Sequence, residues 1–159
     1  MAVVTTSHEY TCSIPSARLF KALVLDSHNL IPKVVPSIKS IDIVHGDGGP
    51  GSIKQTNFAD GSHFKYMKHR VDEVDSATFF SKTTLIEGDA LGDKLECIVY
   101  EIKIEAAAGA GSVTKSTSHY HPKPGVELKE DDIKSGKDKA TGINKAVEEY
   151  LLANPDLYA

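Results

Sequence analysis

HGDGGPGSIK, residues 45–54, separates two folds. The ten residues hold four glycines and one proline and close on Lys54. As a phosphate cradle this loop would put the chain among the α/β nucleotide binders. That cradle needs a strand before it, Gly-Lys-Ser/Thr at its end and a helix after it. Here Ser52 and Ile53 separate Gly51 from Lys54, and residues 52–58 read as a strand. A dinucleotide fingerprint fails for the same reason. The stretch therefore reads as a turn between two strands, with Gly46, Gly48, Gly49 and Gly51 supplying positive φ. Anion binding by its backbone N–H groups stays open as a minor alternative.

The flanks carry a period of two. Ile38, Ile41 and Ile43 mark a strand up to His45. Beyond the loop, Asp60-Gly61 signals a hairpin, and His63–Val74 reads as one long strand. Its apolar parity changes between Tyr66 and Met67, which predicts a bulge that bends the sheet. Asp75-Ser76 turns the chain into a strand over Thr78–Ile86, and Glu87–Lys94 is a loop. Ile98, Tyr100, Ile102 and Ile104 then alternate with Val99, Glu101, Lys103 and Glu105, the pattern of a half-buried strand. AAAGAGS, residues 106–112, turns into a strand over Val113–His121, which Pro122 and Pro124 end.

Residues 2–12 add a strand at the other end. Pro15 suits a first helical turn, and Ala17–Leu25 has helical spacing at Leu19, Phe20 and Leu23. Asp26 or Ser27 can cap a second short helix, limited by Pro32 and Pro36. Near the C-terminus, Glu130, Asp131 and Asp132 suit a helix start. Ile133, Ala140, Ile143, Val147 and Tyr150 or Leu151 recur at three- and four-residue steps, giving one amphipathic helix of about six turns, stopped by Asn154-Pro155. The order is strand, two short helices, six strands, long helix. Hairpin-length links make the sheet mostly antiparallel, so the fold class is α+β with the long helix laid on a bent sheet.

The chain has 159 residues, 25% of them charged, and a net charge of -4. That suits a single domain over residues 1–159 and weighs against double-stranded nucleic acid, where affinity comes mostly from Lys and Arg on phosphates. Cys12 and Cys97 are too few for a disulfide framework and read as reduced buried thiols in a cytoplasmic protein. No signal peptide or membrane span is expected.

Two strands have polar residues where a solid core would want apolar ones. Neither face of Thr78–Ile86 is fully apolar, and Val113–His121 is polar on both faces apart from Val113 and Tyr120. Either these are edge strands facing solvent, or the sheet and helix enclose a wet pocket.

SARLFKALVLDSHNLIPKVVP (16–36), GDGGPGSIK (46–54), FKYMKHRVDEVD (64–75), IEGDALGD (86–93), YEIKIEA (100–106) and VEEYLLANPDLYA (147–159) together resemble the plant pathogenesis-related class 10 family, that of the major birch-pollen allergen. The resemblance covers essentially the whole chain. It implies a helix-grip fold: a seven-stranded curved antiparallel sheet wrapped on the long C-terminal helix, propped by two short helices, with a large internal cavity. It also implies binding of small amphipathic ligands such as flavonoids, cytokinins, sterols and fatty acids, with no cofactor, in a monomer or weak dimer. Carried over by position, the implied ligand-binding residues are Leu23, Val24, His28 and Ile31; Phe58, Phe64, Tyr66, Met67 and His69; Thr83, Leu85, Ile98, Tyr100 and Ile102; and Lys139, Gly142, Ile143 and Ala146. Tyr66, Tyr100, His69 and Lys139 would orient polar groups of the ligand. Several members have tyrosine at the positions of Ser81 and Thr83, and this chain lacks both, which should enlarge the cavity.

A defence ribonuclease acting on RNA is the alternative, with Lys54, Glu96, Glu148 and Tyr150 as the implied residues. A carboxylate would take the 2′-hydroxyl proton and the lysine would balance charge on phosphate. The same side chains also suit a solvated strand end and helix face. A third reading rests on Lys115, because distant relatives of this fold condense amines with aldehydes using a cavity lysine near that position. His119 and His121 share a strand face, but no third metal ligand is evident from spacing. His69 is expected to change charge near pH 6.5.

Overall fold

The computed structural model describes residues 3–61 and 64–158, with the side chains at 131, 132, 135–137, 139 and 140 outside the described set. The expected strand starts at Ala2 and His63 lie outside it, as do the side chains of Asp131, Asp132, Lys139 and Ala140.

The strands are β1 (Val4–Cys12), β2 (Ile38–His45), β3 (Ile53–Phe58), β4 (Tyr66–Asp75), β5 (Phe80–Gly88), β6 (Leu95–Ala106) and β7 (Ser112–Pro122). They form one seven-stranded curved sheet in the order β1-β7-β6-β5-β4-β3-β2, and every pairing is antiparallel. From β2 to β7 each strand pairs with the next. The link from β1 to β2 instead crosses between opposite edges of the sheet. It runs through α1 (Ser16–Phe20), a π-helical turn over Lys21–Leu25, and α2 (Ser27–Val34). The long helix α3 (Glu130–Ala153) closes the chain.

Three local expectations change. The first helix is not uniform: the Asp26 amide bonds the Lys21 carbonyl at 2.8 Å, the i→i+5 pattern of a widened turn. Pro32 does not end the second helix but sits inside it. The register breaks in β4 fall between Lys68 and His69 and between Val71 and Glu73, not between Tyr66 and Met67. Phe64 precedes the strand and is not bound by its parity, so Tyr66 and Met67 simply alternate.

The polar strands are not edges. β1 and β2 hold the edges, whereas β5 and β7 are interior. Ser81, Thr84, Ser112, Thr114 and Ser118 are accordingly buried. The apolar core divides into two clusters. One joins Ile14, Leu19, Phe20 and Leu30 to Ile104 of β6 and to Val147 and Leu151 of α3. The other holds Leu85, Leu91, Leu95, Ile98 and Tyr120 at the opposite end of the sheet.

The first cluster is tied by polar contacts as well. The Arg18 guanidinium donates to the carbonyls of Leu151 at 2.8 Å, Asn154 at 2.6 Å and Leu157 at 2.7 Å, joining the end of α3 to the residues that follow it. Tyr158 donates its hydroxyl to the Asp26 carboxylate. Glu148 fastens α3 to β1, accepting from the Tyr10 hydroxyl at 2.9 Å and the Ser13 amide at 2.8 Å.

Candidate functional site

A pocket of about 800 Å3 lies between the two clusters, walled by the sheet, the π-helical turn, α2 and α3. Period two along each strand brings alternate side chains to it. From β6 come Ile98, Tyr100 and Ile102, from β4 Met67 and His69, and from β3 Phe58 and Lys54. The π-helical turn supplies Leu23, Val24 and Leu25, α2 supplies His28 and Ile31, and α3 supplies Ile143. Phe64 and Thr83 also line it, and Phe64 stacks edge-on against Phe58 at 5.8 Å between ring centroids.

Four residues expected here lie elsewhere. Tyr66 faces outward and donates its hydroxyl to Glu87 at 2.6 Å. Leu85 is fully buried within the second cluster and does not line the pocket. Gly142 is exposed, with open space where a Cβ would stand. Ala146 lines a shallow depression on another face with Lys33, Val34, Glu149 and Tyr150. On α3 the inward row is Ile143, Val147 and Leu151 at four-residue steps, so Gly142 and Ala146, each one position earlier, turn away. Lys139 has no described side chain.

Polar side chains also line the pocket: hydroxyls from Thr56, Ser81, Thr83, Ser116 and Ser118, the carboxylates of Asp47 and Glu101, and the Lys54, His69 and Tyr100 group. Lys54 and His69 are direct cross-strand partners, so both point to the same side. Burial pulls the Lys54 ammonium below the usual lysine range, with Asp26 opposing the shift. Burial first and the Lys54 charge second push His69 down to about 4. Its imidazole is therefore neutral at pH 7, and the expected charge change near pH 6.5 does not occur there. The His69 and Tyr100 rings stand 5.9 Å apart. Burial, then Tyr120, holds the Tyr100 phenol above its ordinary range, so Tyr100 stays protonated.

The glycine loop borders the pocket through Asp47, Gly48, Gly49 and Pro50. Its amides are already engaged: Gly48 N–H donates to Ser52 Oγ at 2.9 Å, Gly49 N–H to Asp47 Oδ1 at 2.9 Å and Gly51 N–H to the Val71 carbonyl at 2.7 Å. With those donors spent and a carboxylate inside the loop, it is a turn rather than an anion cradle. Gly46 has φ of 85° and lies against Ser52, where a Cβ would come within 2.4 Å of its Oγ, so glycine is required at that position.

The residues implied for a ribonuclease are scattered. Lys54 lines the pocket, Glu96 is exposed at the start of β6, Glu148 is occupied by Tyr10 and Ser13, and Tyr150 borders the separate depression. Lys115 is not a pocket lysine, because it pairs with Glu105 at 2.9 Å on the outer face. His119 is engaged by Glu101 at 2.9 Å and Thr5 at 3.0 Å. Lys54 as a pocket residue was legible all the same: period two counted back from Phe58 puts Thr56 and Lys54 on its face. The pocket's serines and threonines on β5 and β7 carry an ambiguous signal, because polar residues on both strand faces suit an exposed edge as well as a wet pocket.

A curved antiparallel sheet wrapped around a C-terminal helix and propped by short helices defines the helix-grip class. Within that class, the chain belongs to the pathogenesis-related protein Bet v 1 family, which it matches over residues 1–154. It is 52% identical over 159 residues to the major allergen Pru av 1 of Prunus avium, covering 99% of each chain. It is 53% identical to the major allergen Pru ar 1 of Prunus armeniaca, with the same coverage. The crystal structure of Ara h 8.0201 superposes with a TM-score of 0.86 at 38% identity, covering 96% of this chain and 99% of the other. Among the described residues no helix is long and apolar enough to cross a membrane.

Proposed function

We propose that this chain is a binding protein for small amphipathic molecules, which it holds in the pocket between sheet and helices. The observation that carries this reading is the divided core. A chain of this size can pack its interior solidly, yet about 800 Å3 separates the two clusters, a volume typical of small-molecule sites. Leu, Ile, Val and Phe side chains give the walls their apolar surface, and Lys54, His69 and Tyr100, with the hydroxyls of the sheet, would orient a ligand's polar end. Burial of the ligand's apolar surface supplies the affinity, at about 25 cal/mol per Å2 before the costs of association. Flavonoids, cytokinins and sterols, which the family resemblance implies, all fit that description. The dispersal of Lys54, Glu96, Glu148 and Tyr150 gives the ribonuclease alternative no support.

The test is titration with a fluorescent amphipathic dye such as anilinonaphthalene sulfonate. Saturable binding that a small amphipathic alcohol displaces is expected. Linear, non-saturable fluorescence would count against the reading.

A further inference from the structure

Lys54 is the unusual group in this pocket. Its ammonium is more than half buried among apolar walls, and among the described residues no hydrogen bond or ion pair holds it. Lysines elsewhere are placed otherwise: Lys68 pairs with Glu87 at 3.5 Å and Lys115 with Glu105 at 2.9 Å. Binding an anion alone would favour a fully charged ammonium, and burial works in the other direction. A desolvated lysine in an apolar pocket is instead the setting that makes an amine nucleophilic.

Resting on the ligand-binding reading above, we propose that Lys54 captures amphipathic aldehydes covalently and reversibly as imines inside the pocket. The free amine attacks the carbonyl carbon. A C–N bond forms, the C=O π pair moves to oxygen, and a proton passes from nitrogen to that oxygen to give a carbinolamine. A second proton goes to the carbinolamine hydroxyl, the nitrogen lone pair forms C=N as that oxygen leaves as water, and the iminium N–H returns the proton to the donor, leaving the imine. Aldehyde and amine thus give imine and water, with no oxidant or reductant required. Two neighbours suit the step. Tyr100 stays a phenol and can donate to the carbonyl oxygen, and His69 is a neutral imidazole on the strand partner of Lys54, able to pass the proton.

The probe is 3-phenylpropanal, trapped with cyanoborohydride at pH 7 and located by peptide mass spectrometry, with 3-phenylpropan-1-ol as the non-reacting analogue. One dominant adduct on Lys54 is expected, reduced at least tenfold by excess alcohol and absent in Lys54→Arg, which keeps a charge but forms no imine. Lys115→Arg should leave the yield unchanged. If the alcohol displaces the dye from the wild-type protein but adduct spreads over surface lysines, or none forms on Lys54, covalent capture is wrong and the binding function stands. If neither alcohol nor dye binds, the pocket reading itself fails, and this proposal with it.

Discussion

The two ends of α3 meet different interiors. Towards its C-terminus, Val147 and Leu151 are fully buried against Leu19, Phe20 and Leu30, and Arg18, Glu148 and Tyr158 add polar fastenings around them. One turn earlier, Ile143 faces a hollow. The same helix is thus a structural strut over its last turns and a pocket wall before them. Stability and binding are separated along the chain, so substitutions can change one without the other.

The largest effect should come from the packed end. Phe20→Ala removes a fully buried ring that packs against Phe79 at 5.4 Å and is expected to cost about 3–5 kcal/mol in denaturant unfolding. Leu23→Ala, on the hollow side, should cost roughly 1 kcal/mol, because fewer neighbours lose contact there. Equal losses at the two sites would erase the distinction.

Acid should act on the hollow side next. His69 has a folded value of about 4 against an ordinary 6.5, so as pH falls the unfolded chain takes up the proton first. Stability carried by the neutral imidazole is complete above about pH 6.5 and is lost between there and pH 4, by at most about 3 kcal/mol. Unfolding curves across that window should lose this component in His69→Leu. A third effect concerns binding alone. Thr83→Tyr places a ring in the pocket and should weaken dye binding at least tenfold, about 1.4 kcal/mol, while the unfolding midpoint moves little. The smallest concerns the fastening. Glu148→Gln weakens the Tyr10 and Ser13 contacts and should cost about 1 kcal/mol, with dye affinity unchanged.

The sequence carried most of the fold. Alternation in β6, the helical row of α3 and the failure of the glycine loop as a phosphate cradle point to the element order, whereas nothing in residues 21–25 points to a π-helical turn. No local propensity in residues 21–25 distinguishes that turn from an α-helix. The site was less legible. The pattern puts Tyr100 and Ile102 on the apolar face of a half-buried strand, and the family resemblance is what implies that this face lines a site. The facing of Tyr66, Gly142 and Ala146 depends on strand starts and helix phase that a sequence fixes only to within a residue, whereas Leu85 faces inward but is packed into the second cluster. Lys54 is placed by parity with Phe58, although the family resemblance implies a different chemistry for it.

The most direct test is a methyl-resolved NMR titration with 3-phenylpropan-1-ol. The hollow predicts saturable shifts at Leu23, Ile102 and Ile143, with Leu19 and Leu151 unmoved. Shifts confined to exposed methyls such as those of Val44 and Leu152, or none at all, would contradict it.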